Sequence, residues 1–310
     1  MECPSSNDTR NFALIGHSGD GKTSLGEAIL HAAGEKNTLG KVDDGSSSLD
    51  TLPEEKKRQT TISSSIYGFD YLGKRITLVD TPGDSNFQAD GQVALHALDA
   101  AVLVVSAVSG AKVGTERMWR SCQSIEIPVL AFVNGMDRER ANFANAVESL
   151  RGIDANPVPL ALPIGAESKL AGVVDLVHMK AIGVDGEGEI PAELAKEAKE
   201  ARQRLVESVA ECDDTLLEKY LEEGELSEEE IAQGLVAAVR ARQFLPVLCV
   251  SAISLIGVGQ LLWSLEKLLP SQVDRGSWPG AALADAAPQE LQPDPEAAFA
   301  GVVFKTLIDR

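Results

Sequence analysis

Basic residues are scarce in this chain, which has 310 residues, 28 Lys and Arg, 47 Asp and Glu, and a formal net charge of −19. A surface that grips nucleic-acid phosphates needs many cations, because affinity rises with the number of phosphates that are neutralised. We therefore expect no direct nucleic-acid binding by this chain alone.

Cysteines and long apolar runs are scarce as well. The four cysteines are Cys3, Cys122, Cys212 and Cys249, and no two of them form a CxxC pair. This distribution favours reduced thiols and contains no zinc pattern. No uncharged run approaches the roughly 20 residues of a membrane-spanning helix, and the polar N-terminus has no apolar signal region. The sequence therefore predicts a cytoplasmic protein without a membrane partner.

Hydrophobic residues make up 44% of the chain and aromatic residues only 5%, which predicts a soluble fold with an aliphatic core. Strand patterns alternate with helical ones. The strand patterns cover residues 12–15, 64–71, 75–79, 100–108, 128–134 and 245–252, and the helical patterns lie near 25–33, 90–98, 114–124 and 257–269. This alternation predicts an α/β fold with a mostly parallel sheet that helices cover on both faces.

A glycine-rich loop joins the first strand pattern to the first helical pattern. Its sequence from residue 16 to 23, GHSGDGKT, fits GxxxxGK(S/T). Glycines let backbone N–H groups turn towards phosphates, Lys22 supplies a positive charge, and the hydroxyl of Thr23 can bind magnesium. An ordinary glycine turn is the alternative, and the strand–loop–helix context favours the phosphate loop. The predicted nucleotide contacts here are Gly16, His17, Ser18, Gly19, Asp20, Gly21, Lys22, Thr23 and Ser24.

A second motif, DTPGD from residue 80 to 84, follows an apolar strand pattern. Phosphate-loop enzymes hold magnesium with a carboxylate at such a strand end, and Gly83 can then donate its N–H to a γ-phosphate. We therefore predict Thr23 and Asp80 as magnesium ligands, with a turn or helix cap as the alternative for Asp80. Thr61 ends the long polar loop from 34 to 62 and is predicted to reach the same ion, although QTTIS alone could start an ordinary strand.

The base-recognition signals lie further along the chain. VNGMD places Asn134 and Asp137 at NxxD spacing after a buried strand pattern. An Asp there can accept from the N1 and N2 groups of guanine, which adenine cannot match, while Asn134 braces the loop. A site built on such bonds can reject the wrong base by roughly 10⁴-fold. VSA at 250–252, with Ser251 and Ala252, supplies a backbone donor for the guanine oxygen. Together the motifs indicate a GTPase that uses GTP or GDP and Mg²⁺.

These motifs resemble the translational GTPases, and within them the elongation factor G family. GMDRERANF is similar to NKMDRxGANF, and NPVPLALPIGAE with GVVDLVHMKAI resembles the insert of that family's nucleotide domain. AFAGVVFKTLIDR resembles the start of its second domain, a β-barrel. The resemblance implies magnesium-dependent GTP hydrolysis on the ribosome, which would need domains beyond this chain. We expect a monomer.

Several positions depart from the family pattern. The family reads DTPGH, and its His positions or activates the attacking water, whereas this chain has Asp84. Ser18 and Gly19 replace Val and Asp, Thr60 replaces the Ile of RGIT, and Gly135 replaces the NxxD-loop Lys whose stem packs along guanine. The Val and Ile form an apolar gate around the His. The pattern looks most like the divergent second-copy branch of the family.

The resemblance also supplies the predicted catalytic residues, Lys22, Gly83 and, in place of the family His, Asp84. A turn or helix cap at GDSN is an equally good interpretation of Asp84. Two unit charges about 4 Å apart repel by roughly 4 kcal/mol at an effective dielectric of about 20, so we expect Asp84 to turn away from the γ-phosphate. Hydrolysis is therefore expected to be slow. A GTP-gated binding module and a ribosomal protection factor are the alternatives.

Domain boundaries follow from changes of texture. Between 155 and 243 the chain becomes acidic and helical, with Leu194, Ala198, Ala201, Leu205 and Val209 on one helical face. That acidic stretch is interpreted as a solvated face, with a partner-docking surface as the alternative. We expect the chain to be the front part of a longer protein. The predicted parts are a flexible N-terminus at 1–10, a GTPase domain at 11–154 and 244–270, an inserted α+β subdomain at 155–243, a linker at 271–298, and the first strand of a truncated β-barrel at 299–310.

Overall fold

The computed structural model describes residues 5–184, 186–282, 286–294 and 296–306. Its strands are β1 Thr9–Gly16, β2 Ser65–Tyr71, β3 Lys74–Asp80, β4 Ala100–Ser106, β5 Val129–Asn134, β6 Pro157–Pro159, β7 Ala161–Ile164, β8 Gly172–Asp175, β9 Lys180–Gly183, β10 Gly186–Gly188, β11 Leu245–Val250, β12 Trp278–Ala281 and β13 Pro288–Leu291. Its α-helices are α1 Lys22–Ala32, α2 Pro53–Arg58, α3 Gln88–Leu95, α4 Val113–Ser124, α5 Phe143–Arg151, α6 Ala195–Ala210, α7 Asp214–Glu223, α8 Glu228–Arg240, α9 Val258–Lys267 and α10 Gln272–Arg275.

The central sheet has seven strands in the order β2-β3-β1-β4-β5-β11-β6. All its pairings are parallel except that of β2 with β3. Every residue of β4, β5 and β11 is buried, as expected when helices cover both faces of a parallel sheet. The predicted α/β fold is therefore confirmed. Parallel strands bring their carboxyl ends to one edge, so the residues that follow β1, β3, β5 and β11 meet there.

A second, antiparallel sheet has the order β10-β9-β8-β7, and α6 packs with α7, with α8 and with β6. The additional α+β subdomain predicted within the chain is thus present. Four of the five residues predicted to share a helical face are buried on α6, and Ser227 caps α8 through the N–H of Glu230. Helix α7 was not predicted as a separate helix; none of its residues is buried, although Leu216, Leu217 and Tyr220 pack against the core.

The predicted boundaries differ from the observed elements in two places. Strand β6 pairs with β11 in the central sheet, so this sheet reaches into the range 155–243 that was predicted as insert. Strand β1 begins at Thr9, after a short 3₁₀ helix at Ser6–Asp8, so part of the range 1–10 is regular structure, while residues 1–4 lie outside the described residues. In both cases the strand is defined by a partner that is distant in sequence.

The loop and linker predictions also need correction. Helix α2 lies inside the predicted loop 34–62, and the predicted linker 271–298 contains α10 and the β12–β13 hairpin. Residues 299–306 form no strand, and residues 307–310 lie outside the described residues. A strand needs a neighbour, and Phe299 is 99% exposed without one. Among the described helices, none has the length and apolar character to cross a membrane.

Candidate nucleotide-binding site

The glycine-rich loop lies between β1 and α1 at the carboxyl edge of the sheet. Gly19 and Gly21 have φ angles of +79° and +87°, which favour glycine, and a Cβ on Gly21 would overlap the Asn134 side chain. Helix α1 begins at Lys22, and its N-cap residue Gly21 offers no side-chain cap. The first backbone N–H groups of α1 can therefore face an anion, as a phosphate-binding loop requires.

The Lys22 side chain reaches back to the start of this loop. Its Nζ donates to the carbonyl oxygens of His17 at 2.9 Å and Gly16 at 3.3 Å. Burial lowers the pKa of Lys22, and the charges of Asp80 and Asp20 oppose that shift. Gly83 lies directly over the ammonium group, since a Cβ on Gly83 would overlap Nζ. The structure thus places Lys22 and Gly83 together at the phosphate loop.

Three oxygen-bearing side chains converge beside Lys22. Thr23 Oγ1 donates to Asp80 Oδ2 at 2.7 Å and lies 3.0 Å from Thr61 Oγ1. The Asp80 side chain is fully buried, and its Oδ1 has no partner among the described residues. Burial raises the pKa of Asp80 to about 7, while the Thr23 hydroxyl and the Lys22 charge oppose that rise. Hydroxyl and carboxylate oxygens suit Mg²⁺, so these residues fit the predicted ion.

Asp50 is a carboxylate near this cluster that the sequence analysis missed. Both of its carboxylate oxygens are buried, and the Ser47 hydroxyl opposes the effect of burial on the pKa of Asp50. Burial raises the pKa of Asp50, and its charge contributes to the raised pKa of Asp80. It lies in the long polar loop, where no strand or helix period distinguished it from its neighbours.

The position of Thr61 depends on a buried glutamate in α2. Glu55 Oε1 accepts the backbone N–H groups of Ile62 at 2.9 Å and Ser63 at 3.0 Å, and its Oε2 accepts that of Leu52 at 2.9 Å. These bonds fix the backbone on both sides of α2. Thr61 is thereby held beside Thr23, which explains how a residue of a long loop can reach the strand edge.

Helix α1 anchors the same loop through Glu27. Its Oε1 accepts the backbone N–H of Ser48 at 2.7 Å, and its Oε2 lies 2.7 Å from Lys36 Nζ. Burial alone would raise the pKa of Glu27, but the hydrogen bonds from Lys36 and Ser48 outweigh it and lower the pKa. The long polar loop from 34 to 62 is therefore tied to α1.

Asn134 joins the phosphate loop to the base-recognition loop. Its Nδ2 donates to the carbonyl oxygens of Asp20 at 3.1 Å and Gly21 at 3.4 Å. Its Oδ1 accepts the backbone N–H of Ala252 at 3.1 Å. One amide side chain thus connects three loops, which is the bracing arrangement predicted for this residue.

Asp137 lies in a small pocket next to this amide, and its buried Oδ1 has no partner among the described residues. Ser251 is fully buried, and its Oγ accepts the N–H of Ser254 at 3.2 Å, which stabilises the loop after β11. The pocket is lined by Gly21, Ser24, Asn134, Gly135, Asp137, Arg138, Ala252 and Ile253. A free acceptor at its wall suits a ligand that carries N–H donors.

Comparison with known proteins decides the family. The Elongation factor Tu GTP binding domain family matches residues 7–271. The chain belongs to the translational GTPases. Elongation factor G of Thermotoga neapolitana is 40% identical over 308 residues, which cover 97% of this chain and 44% of that protein, and the protein of Thermotoga petrophila gives the same values.

A crystal structure of a protein from Thermus thermophilus has a TM-score of 0.81 and 36% identity, and the match covers 87% of this chain and 42% of that one. The resemblance to translational GTPases that the motifs suggested is therefore confirmed. This translational GTPase chain spans less than half the length of these relatives.

Two phosphate-loop residues of this translational GTPase face protein groups. Asp20 Oδ1 lies 3.0 Å from Lys112 Nζ, just before α4, and burial raises the pKa of Asp20 while Lys112 opposes that rise. His17 has a buried Nδ1 without a described partner and packs against Gly114, where a Cβ would lie 2.6 Å from it. Lys112 was missed because sequence spacing does not relate it to the loop. Ser18, Gly19 and Ser24 line the phosphate cavity.

Asp84 turns into its own loop. Its Oδ1 accepts from the backbone N–H of Asn86 at 2.8 Å and from the Asn86 Nδ2 at 2.9 Å. The described residues that line the phosphate cavity include Gly83 but not Asp84. In this translational GTPase, the Asp84 carboxylate therefore stabilises a turn.

Proposed function

We propose that this chain binds GTP and GDP with Mg²⁺ and acts as the nucleotide-binding domain of an elongation factor G-type GTPase on the ribosome. One observation carries the proposal: the oxygens of Thr23, Thr61 and Asp80 converge beside Lys22 at the start of α1. The three residues come from separate segments. If these buried polar groups were purely structural, Asp80 Oδ1 would be expected to have a hydrogen-bond partner, and it has none among the described residues.

Each group has a chemical task in this proposal. Lys22 and the N–H groups at the start of α1 bind the phosphates, and Gly83 donates its backbone N–H to the γ-phosphate. Thr23, Thr61 and Asp80 hold Mg²⁺, which neutralises phosphate charge when it is bound. Asp137 accepts from the N–H groups of guanine, and Asn134 keeps the base and phosphate loops at a fixed separation.

Asp84 makes slow intrinsic hydrolysis part of the proposal. An ionised carboxylate only accepts hydrogen bonds, and its Oδ1 already accepts from Asn86. The same observation favours the second candidate function, a GTP-gated binding module with little turnover. A ribosomal protection factor has no such support, and the relatives named above are elongation factors G. The proposal also includes a cytoplasmic monomer and no direct nucleic-acid binding by this chain alone.

Nucleotide titration tests the binding site. Wild type should bind GDP and GTP far more tightly than ADP and ATP, because only guanine carries the donors that Asp137 can accept. Asp137→Ala should remove that preference, whereas Asp70→Ala, on the exposed edge strand β2, should keep it. Equal affinities of wild type for ATP and GTP would refute the base site.

Single-turnover GTP hydrolysis by the full-length protein, with and without ribosomes, tests the activity. Stimulation by ribosomes would support the elongation factor G assignment. Tight GTP binding without turnover in either condition would favour the binding module instead.

A further inference from the structure

Arg138 lies next to Gly135, the residue of the base-recognition loop that has no side chain. Gly135 has a φ of +80°, and its carbonyl accepts the Arg138 N–H at 3.1 Å, so these residues form a tight turn. A Cβ on Gly135 would lie 3.2 Å from Arg138 Cδ and 3.4 Å from its Nε. The Arg138 side chain therefore folds back over the face of the turn that a side chain at position 135 would cover.

The guanidinium group of Arg138 is unpartnered in the part of the chain that the structure describes. Its side chain makes no hydrogen bond or ion pair within the described residues, although the chain carries 47 acidic residues. Arg138 lines the phosphate cavity, and it also lines the pocket that contains Asp137. A planar cation that is left free at the junction of two ligand cavities is available to a ligand.

We propose that Arg138 packs its guanidinium plane and stem against the face of the bound guanine, in the place left by Gly135. This rests on the proposed function, because it requires a guanine nucleotide in the pocket. Arginine is suited to the contact, since its flat and weakly hydrated group stacks on aromatic rings. Asp137 would then recognise the edge of the base and Arg138 its face.

The contact with Gly135 indicates that Arg138 binds the base and not the phosphates. Arg138 Cδ and Nε lie against Gly135, which lines the base pocket and is not among the described residues that line the phosphate cavity. Lys22 already supplies a buried positive charge to the phosphate loop. If Arg138 bound phosphate, its removal would cost more affinity for nucleotides with more phosphates. If Arg138 stacks on the base, the loss is the same for each nucleotide.

The test compares wild type with Arg138→Ala, Arg138→Lys and the control Arg140→Ala. Affinities for GMP, GDP and GTP are measured by competition against a fluorescent GDP analogue. Arg138→Ala should weaken all three by the same factor, about 2- to 30-fold, which spans cation–π contacts from exposed to desolvated. Arg138→Lys should fall in between, because lysine keeps a stem and a charge but has no plane. Arg140→Ala should match wild type.

Two outcomes overturn the inference while the proposed function stands. If Arg138→Ala binds guanine nucleotides as tightly as wild type, the Arg138 side chain does not contact the ligand. A loss that rises from GMP to GTP would assign Arg138 to the phosphates. Failure of wild type to bind guanine nucleotides would overturn both proposals. Arg138 is exposed, and thermal unfolding verifies that each variant is folded.

Discussion

Asp84→Ala is the substitution that best separates a turn residue from a catalytic one. Alanine removes the two hydrogen bonds from Asn86 to the carboxylate. Asn86 is exposed, so water replaces the lost acceptor, and the expected loss in the free energy of unfolding is about 1 kcal/mol, as for a lost capping residue. Intrinsic GTP hydrolysis should change by less than about tenfold, because a positioned general base contributes on the order of 10² or more.

The assay is single-turnover hydrolysis of GTP at saturating protein, with GTP affinity and thermal unfolding measured on the same samples. Asp84→Asn is the matched control, since it keeps an oxygen acceptor for the Asn86 N–H and removes the charge. We expect Asp84→Asn to hydrolyse GTP as slowly as Asp84→Ala and to retain more of the wild-type stability.

One result would refute this reasoning. If Asp84→Ala still binds GTP but hydrolyses it roughly 10² to 10⁴ times more slowly, Asp84 acts as a positioned base. The carboxylate would then have to leave Asn86 and face the γ-phosphate during the reaction.

Two further predictions concern the loops around the nucleotide. Asn134→Ala removes three hydrogen bonds between loops. It should therefore lower the free energy of unfolding by about 2–4 kcal/mol and lower the affinity for GDP by more than about tenfold. Thermal unfolding and GDP titration that match wild type would contradict this prediction. Because hydrogen bonds lower the pKa of Glu27 despite its burial, its stabilisation is complete above the usual glutamate pKa of about 4.3 and is lost as the pH falls through the lower folded-state pKa. Protection of the Ser48 amide, measured relative to its intrinsic exchange rate at each pH, should therefore fall on acidification in wild type, whereas in Glu27→Ala, which removes the acceptor, it should be low at every pH. Equal protection in both proteins would contradict the assignment.

Local patterns in the sequence determined most of the fold. Strand β1, the glycine loop and α1 follow from one apolar run, three glycines and the start of a helical period, which neighbouring residues encode among themselves. The buried strands β4, β5 and β11 are equally legible, because a strand buried on both faces is a continuous apolar run. The candidate site residues that follow these strands could be named in advance, since parallel strands end at a common edge.

Other features required partners that are distant in sequence. Thr61 reaches Thr23 because Glu55 fixes the backbone around α2, and no spacing rule relates these residues. Strand β6 joins the central sheet only because β11 offers it a free edge. Residues 299–306 show the opposite outcome, because their sequence is strand-like but no strand pairs with them among the described residues.

The sequence by itself predicted the groups of the candidate site, because residue type and spacing indicate a phosphate loop, a candidate metal carboxylate and an NxxD pair. Tertiary structure alone decided their orientations. Asp84 could face a phosphate or a turn, and the neighbouring Asn86 donors favour the turn. Arg138 directly follows the NxxD residues, and the tight turn at Gly135 brings its side chain to the pocket that contains Asp137. Composition and period are encoded along the chain, whereas the direction of a side chain depends on which loops the sheet order places side by side.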